Sequence, residues 1–194
     1  MQFSKLSPEL RPVCWMLALA VSLLVGSAHA QVVPSAIGRH ALYVGGEYSN
    51  FQANYPYGSN LRLWGIGGFA DYRLTDHIGV VAEARFLRFH SFYGDSEDNY
   101  LGGAHYLFKR FGKLQPYAIG LAGLGRIQYP FQIGSGRYFA LAPGGGASYS
   151  IDRKWSLRGE YEYQLWLNWP NIPTYTNQKF TPNGFNVGVA YRLF

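Results

Sequence analysis

The sequence has one cysteine, little charge, and no apolar run long enough to cross a bilayer as a helix. With Cys14 alone there is no disulfide framework, so stability has to come from packing and hydrogen bonding. Charged residues make up 14% of the 194 residues, where soluble domains carry about 25%. Low charge beside 18% aromatic residues excludes a disordered chain, which is rich in charge and poor in rings. The longest uncharged apolar run, Val13 to Gly26, spans 14 residues, short of the roughly 20 a membrane helix needs. Basic residues form no runs interleaved with stacking rings, so nucleic acid is not indicated. What remains is a soluble β-protein or a membrane barrel, whose lipid face is hidden in averages because every second residue is polar or small.

The apolar run explains itself as a leader. Lys5 and Arg11 precede it, and Ala28-His29-Ala30 follows with small residues where a signal peptidase reads. A cleavable signal peptide over residues 1–30 is therefore expected, with a barrel domain over residues 31–194. Removing the leader also removes Cys14.

From Leu42 onward strict alternation outperforms helical spacing. The clearest stretch is Trp155 to Leu167: Trp155, Leu157, Gly159, Tyr161, Tyr163 and Leu165 share one parity, and Ser156, Arg158, Glu160, Glu162 and Gln164 the other. As a strand it has one aromatic and aliphatic face and one charged face. The same rule gives eight strands, at about residues 41–53, 61–74, 78–90, 99–111, 115–129, 137–150, 155–168 and 182–194. Three connections are tight: Thr75-Asp76-His77, Gly112-Lys113-Leu114 and Ile151-Asp152-Arg153-Lys154. The other four are longer and polar or proline-rich. Short turns at one end and long loops at the other, over an even number of strands, predict an all-β, eight-stranded antiparallel up-and-down transmembrane barrel.

Parity then sorts the side chains. The outward set has two aromatic girdles, where rings sit at headgroup level. Tyr72, Phe108, Tyr117, Tyr149, Trp155 and Tyr191 fall beside the short turns; Tyr48, Trp64, Phe86, Tyr100, Phe139 and Phe185 fall near the long loops. The inward set is polar: Glu47, Asp71, Arg73, Glu83, Arg85, His105, Arg126, Arg158, Glu160, Glu162 and Arg192. Its five acids and five arginines balance, which predicts a mutually bonded network filling a lumen only wide enough for side chains. A soluble ligand-binding barrel would reverse this arrangement, keeping apolar residues in and charges out.

With strands, girdles and the ending Gly188-Val189-Ala190-Tyr191-Arg192-Leu193-Phe194 in hand, the chain resembles the small eight-stranded outer-membrane β-barrel family of the OmpA/OmpX type. The resemblance implies an outer-membrane location and an assembly signal in Val189, Tyr191, Leu193 and Phe194, with either Leu193 or Phe194 in the terminal aromatic slot. It implies as partners outer-membrane lipid, lipopolysaccharide and the outer-membrane assembly machinery; oligomeric state is left open. The function it implies is a non-enzymatic barrel contributing to envelope integrity and surface interaction through four long loops. The alternatives are a narrow channel for small solutes or ions and a lipid A-modifying acyl enzyme.

Catalytic, metal and cofactor sites are not expected. His90-Ser91 lacks the His-x-Ser spacing of the barrel deacylases, and as strand neighbours the two would point to opposite faces. His40, His77, His90 and His105 have no ligand spacing, and Gly144-Gly145-Gly146 lacks the Lys-Ser/Thr of a phosphate loop.

Overall fold

The computed structural model describes residues 40–54, 60–89, 94–129, 134–167 and 180–194. The signal-peptide segment, His90-Ser91 and most of the long-loop residues lie outside the described residues. Nine β elements follow in order: β1 (Ala41–Asn54), β2 (Asn60–Arg73), β3 (Ile78–Phe89), β4 (Ser96–Leu107), β5 (Leu114–Gln128), β6 (Ser135–Ser150), β7 (Trp155–Tyr163), β8 (Leu165–Leu167) and β9 (Asn183–Arg192). β7 and β8 are two parts of one ribbon, interrupted at Gln164, whose backbone N–H still donates to Pro182 O at 2.7 Å in register with the β7–β9 pairing. The ribbons number eight, all antiparallel. No helix occurs among the described residues.

Each ribbon pairs with its sequence neighbour, and β1 pairs with β9 from Tyr43↔Arg192 to Gln52↔Asn183, which closes the sheet. Closure follows from the surroundings that the outer face demands: an open edge in hydrocarbon would leave N–H and C=O groups unmet at several kcal/mol each.

The tight turns are chemically specified. Thr75 Oγ1 accepts from the amides of His77 and Ile78, and Asp152 Oδ1 from those of Lys154 and Trp155. Between β4 and β5, Phe111 and Leu114 exchange both backbone bonds around Gly112-Lys113. Gly112 has φ +61°, the left-handed conformation that a two-residue hairpin needs. This connection is longer than expected, because β4 ends at Leu107. At its other end β4 starts early, at Ser96. Ser96-Glu97-Asp98 reads as loop by polarity, yet Asp98 joins the ladder and is held by Arg88 of β3.

Alternation fixes the faces. On β7 every odd residue is exposed and every even one buried. Ile66, Val80, Leu157, Val187 and Val189 point away from the barrel and make a continuous apolar surface, while charged groups turn inward. That arrangement is the reverse of a soluble ligand-binding barrel.

β5 departs from the expectation. Gln115, Tyr117, Ile119, Leu121 and Ile127 are buried in the lumen, and Ala118, Gly120, Leu124 and Arg126 face out. Tyr117, Ile119 and Leu121 join Val81, Leu101, Leu107, Ala140, Ala142 and Trp166 in one apolar cluster. One wall of the lumen is therefore apolar and the facing wall ionic.

Candidate functional site

The ionic wall is built by β1, β3, β7 and β9, whose inward positions carry Glu47, Glu83 and Arg85, Arg158, Glu160 and Glu162, and Asn186. Arg85 is completely buried. Its Nη2 donates to both oxygens of Glu162 at 2.9 and 2.7 Å, and lies 3.3 Å from Glu83 Oε2; its Nε lies 3.8 Å from Glu47. The guanidinium also sits over the Phe51 ring at 5.1 Å. Arg158 Nη2 donates to Glu160 Oε2 at 2.8 Å and to Glu83 Oε1, and its guanidinium covers the Phe69 ring at 4.5 Å. Of these charge-assisted bonds, Arg85 to Glu162 and Arg158 to Glu83 link β3 with β7, far apart in sequence, and tie the barrel walls together across the lumen.

Neutral donors complete the shell. Asn186 reaches Glu160 Oε1 at 3.3 Å, and Gln164 donates to Glu162 Oε1 at 2.8 Å while accepting from the Trp166 indole at 2.7 Å. Trp166 in turn packs edge-on against Phe180. Toward the loop end, Glu97 accepts from Asn99 at 2.8 Å, and Phe51, Leu63 and Leu87 form a second apolar cluster.

Two expected positions are corrected here. Tyr117 belongs to no girdle: its hydroxyl donates to Glu160 Oε2 at 2.9 Å inside the lumen. Arg126 belongs to no lumen network: it is exposed on the outer face, near the loop end of β5. Both follow from the reversed parity of one strand. Opposite the bulky Arg85 and Arg158, the lumen takes large apolar side chains from β5, and the small residues of that strand go outward.

The expected charge balance fails as well, because Arg126 faces out and Arg73 and Arg192 lie toward the turn end. Glu47, Glu83, Glu160 and Glu162 surround only Arg85 and Arg158. Arg73 is half-buried at the turn end, bonded to Gln115 and stacked over Tyr43, and Arg192 sits at the rim with its Nε on the Phe194 carbonyl. Both oxygens of Glu47 lack a hydrogen-bond partner in the described residues.

Oxygens of Glu83, Glu160 and Glu162 come within 4.8 Å of one another, a set that would suit a hard cation. Those carboxylates already hold the guanidinium groups of Arg85 and Arg158, whose charge opposes a metal ion at the same place. The group is an ion-pair core.

His105 Nε2 lies 3.4 Å from Asp71 Oδ1, and both line a void of about 20 Å³ together with Ser148 and Ser156. That volume holds about one water molecule. The void is too small to admit an acyl chain.

The remaining girdle residues lie on the outer surface. At the loop end Tyr48 packs between Trp64 and Phe185, with ring centroids 6.0 and 6.4 Å away; Phe86 meets Tyr100 edge-on, and Phe139 is exposed on β6. At the turn end Trp155 and Tyr191 are 4.9 Å apart, Phe108 packs on Tyr106, and Tyr72 and Tyr149 complete the ring. Of the terminal residues, Val189 and Tyr191 lie in β9, while Leu193 and Phe194 follow it and are exposed. Asn186, Asn99 and Glu97 are lumen groups that the sequence reading did not single out. Alternation alone places Asn186 inward between Phe185 and Val187, whereas Glu97 and Asn99 were hidden by the loop-like polarity of their segment.

A closed barrel with an apolar exterior, two aromatic belts and an ionic interior defines an integral membrane β-barrel. The chain belongs to the family of the outer membrane protein beta-barrel domain, whose model matches residues 17–192. Membership implies an outer-membrane location. No curated protein matches the sequence. Among solved structures it is similar to Neisserial surface protein A, at 17% identity and TM-score 0.64, over 77% of this chain and 96% of that one. It is also similar to the N-terminal barrel of Pseudomonas aeruginosa OprF, at 16% identity and TM-score 0.56, over 80% and 99%. Ail, the attachment invasion locus protein of Yersinia pestis, matches at 18% identity and TM-score 0.51, over 80% and 99%. At these identities the likeness is one of fold.

Proposed function

We propose that this chain is a non-enzymatic outer-membrane barrel that contributes to envelope integrity and presents its four long connections for surface interaction, rather than a diffusion channel. The observation that carries this reading is the filled cross-section. Arg85 and Arg158, their carboxylates and the facing apolar cluster meet across the lumen, leaving at the turn end a void of about one water. A conducting pore needs a continuous polar path with sites weak enough for ions to leave, and buried charge-assisted ion pairs are the opposite of weak.

In this reading the partners are outer-leaflet lipopolysaccharide, around the belts, and the assembly machinery, which engages the strand ending at Val189 and Tyr191. Residues 1–30 serve as the export signal. The test is planar-bilayer recording of the refolded protein, with lipid A mass spectrometry from cells with and without the gene as the enzymatic control. Absence of unitary currents and an unaltered lipid A profile are expected. Reproducible single-channel steps would overturn the filled-lumen claim, and a gene-dependent change in acylation would overturn the non-enzymatic one.

A further inference from the structure

We propose that the lumen face of β1 and β9 holds one divalent cation of the size of Ca²⁺, bound by Glu47, Ser49 and Asn186. The proposal needs the closed barrel and its ionic wall, and goes beyond the non-enzymatic reading above.

The ladder sets Ser49 of β1 directly opposite Asn186 of β9, and Glu47 lies two residues from Ser49 on the same face. Side chains in those positions stand about 5 to 7 Å apart. All three are buried, Glu47 at 5% exposure and the other two at 1% or less. Both carboxylate oxygens of Glu47, the Ser49 hydroxyl and Asn186 Oδ1 lack a hydrogen-bond partner among the described residues. The Asn186 amide is held by its donation to Glu160 Oε1 at 3.3 Å, which leaves Oδ1 to accept. Four buried oxygens without partners, on adjacent positions of two paired strands, are costly unless something positive lies among them.

The charges lead to the same place. Glu47, Glu83, Glu160 and Glu162 share only Arg85 and Arg158, so this group is two charges short. Arg85 makes its closest contacts with Glu162 and Glu83, and its Nε stays 3.8 Å from Glu47, beyond hydrogen-bond length. A proton on Glu47 would supply one charge where two are wanting. A divalent ion supplies both. At Glu47 it meets oxygens that no guanidinium hydrogen-bonds, unlike the carboxylates of Glu83, Glu160 and Glu162.

The oxygens select the ion. Carboxylate, hydroxyl and amide carbonyl are hard ligands, and Ca²⁺ takes such oxygens at about 2.3 to 2.6 Å in flexible geometry, with water completing its shell. Oxygens spaced around one ion do not bond each other, and these do not. Glycine lies opposite Glu47 on both flanks, Gly67 of β2 and Gly188 of β9, so neither neighbouring strand sends a side chain over the carboxylate from those positions. A Cβ at Gly67 would stand 3.2 Å from Glu47 Oε1.

The full-length chain is refolded into detergent with Ca²⁺, with Mg²⁺ or with a chelator, passed over a chelating resin, and weighed by native mass spectrometry. One retained calcium per folded chain is expected, with a urea midpoint above that of the chelator-refolded barrel. Mg²⁺, which demands a stricter octahedral shell, should be retained far less. Glu47→Gln should retain no ion and lose the calcium-dependent shift in midpoint. Ser49→Ala removes one oxygen and no charge, and should weaken retention about tenfold; it is read alone if Glu47→Gln does not fold. Asp76→Asn, in an exposed turn, should behave as wild type. A folded wild-type chain without retained calcium, equal retention of Mg²⁺, or unchanged retention by folded Glu47→Gln or Ser49→Ala would overturn the proposal. Bilayer currents and lipid A profiles are read separately, so the ion site can fail while the outer-membrane reading stands.

Discussion

Tyr117 donates its hydroxyl to Glu160 Oε2 at 2.9 Å, a bond that crosses the lumen from β5 to β7. Arg158 donates to the same oxygen at 2.8 Å. A ring expected among lipid headgroups instead closes the ionic core. Tyr117→Phe keeps the ring and removes one bond to a charged acceptor, which should lower stability by about 1.5 to 3 kcal/mol in equilibrium unfolding from lipid vesicles. A lipid-facing position would give a change within about 0.5 kcal/mol, and that result would count against the lumen position.

Arg85 is the cation on which the most carboxylates converge, Glu162 through two bonds and Glu83 and Glu47 at longer range. Removing it leaves Glu162 and Glu47 without their nearest counter-charge and Glu83 with Arg158 alone, and losing one partner of a buried pair costs about 3 to 5 kcal/mol. Arg85→Met should therefore unfold at distinctly lower urea. The double variant Arg85→Met/Glu162→Leu should recover part of that loss, because the two sites share their bonds. Additive losses from Arg85→Met and Glu162→Leu would show that the pair is not coupled.

Most of the fold was legible because hydrocarbon outside and ions inside impose a strict two-residue period. Trp155 to Tyr163 carries that period without exception, and the inward placement of Glu47, Glu83, Arg85, Arg158 and Glu162 followed from it. β5 was misread for a physical reason. Both of its parities are uncharged through the middle, so the larger side chains Tyr117, Ile119 and Leu121 looked like the lipid face. Arg126 then looked like the lumen face. A charge two residues from the end of a strand reaches the headgroups, however, and says nothing about parity. Gln115, in phase with Tyr117, was the available counter-signal. The excess of lumen acids was invisible because Arg126 had been counted inside and because alternation does not show that Arg73 and Arg192 sit too near the turn end to reach the acids.

That correction can be checked with thiols, because Cys14 is the sole native cysteine and lies in the expected leader. In the folded protein, Arg126→Cys should react rapidly with a water-soluble maleimide, being exposed near the loop end, and Ile127→Cys should stay unreactive, being fully buried. The wild-type chain sets the background. Fast labelling at position 127 with protection at 126 would restore the opposite parity.

Asp152 gives the barrel a pH-sensitive turn. Its Oδ1 accepts the amides of Trp155 and Lys154, both at 2.7 Å, and these bonds hold its carboxyl below the usual carboxylate range. A pKa lowered by folding means that the unfolded chain takes up the proton more readily. The turn's contribution is therefore complete above the unfolded pKa, roughly pH 4, and is lost as pH falls through the lower folded value. In wild-type protein, hydrogen exchange at the Lys154 and Trp155 amides, corrected for intrinsic rate, should show protection that fades only in that acid window. Asp152→Ala should have lost the protection already at neutral pH and show no acid step. An acid step that persists in the variant would assign the titration to another group.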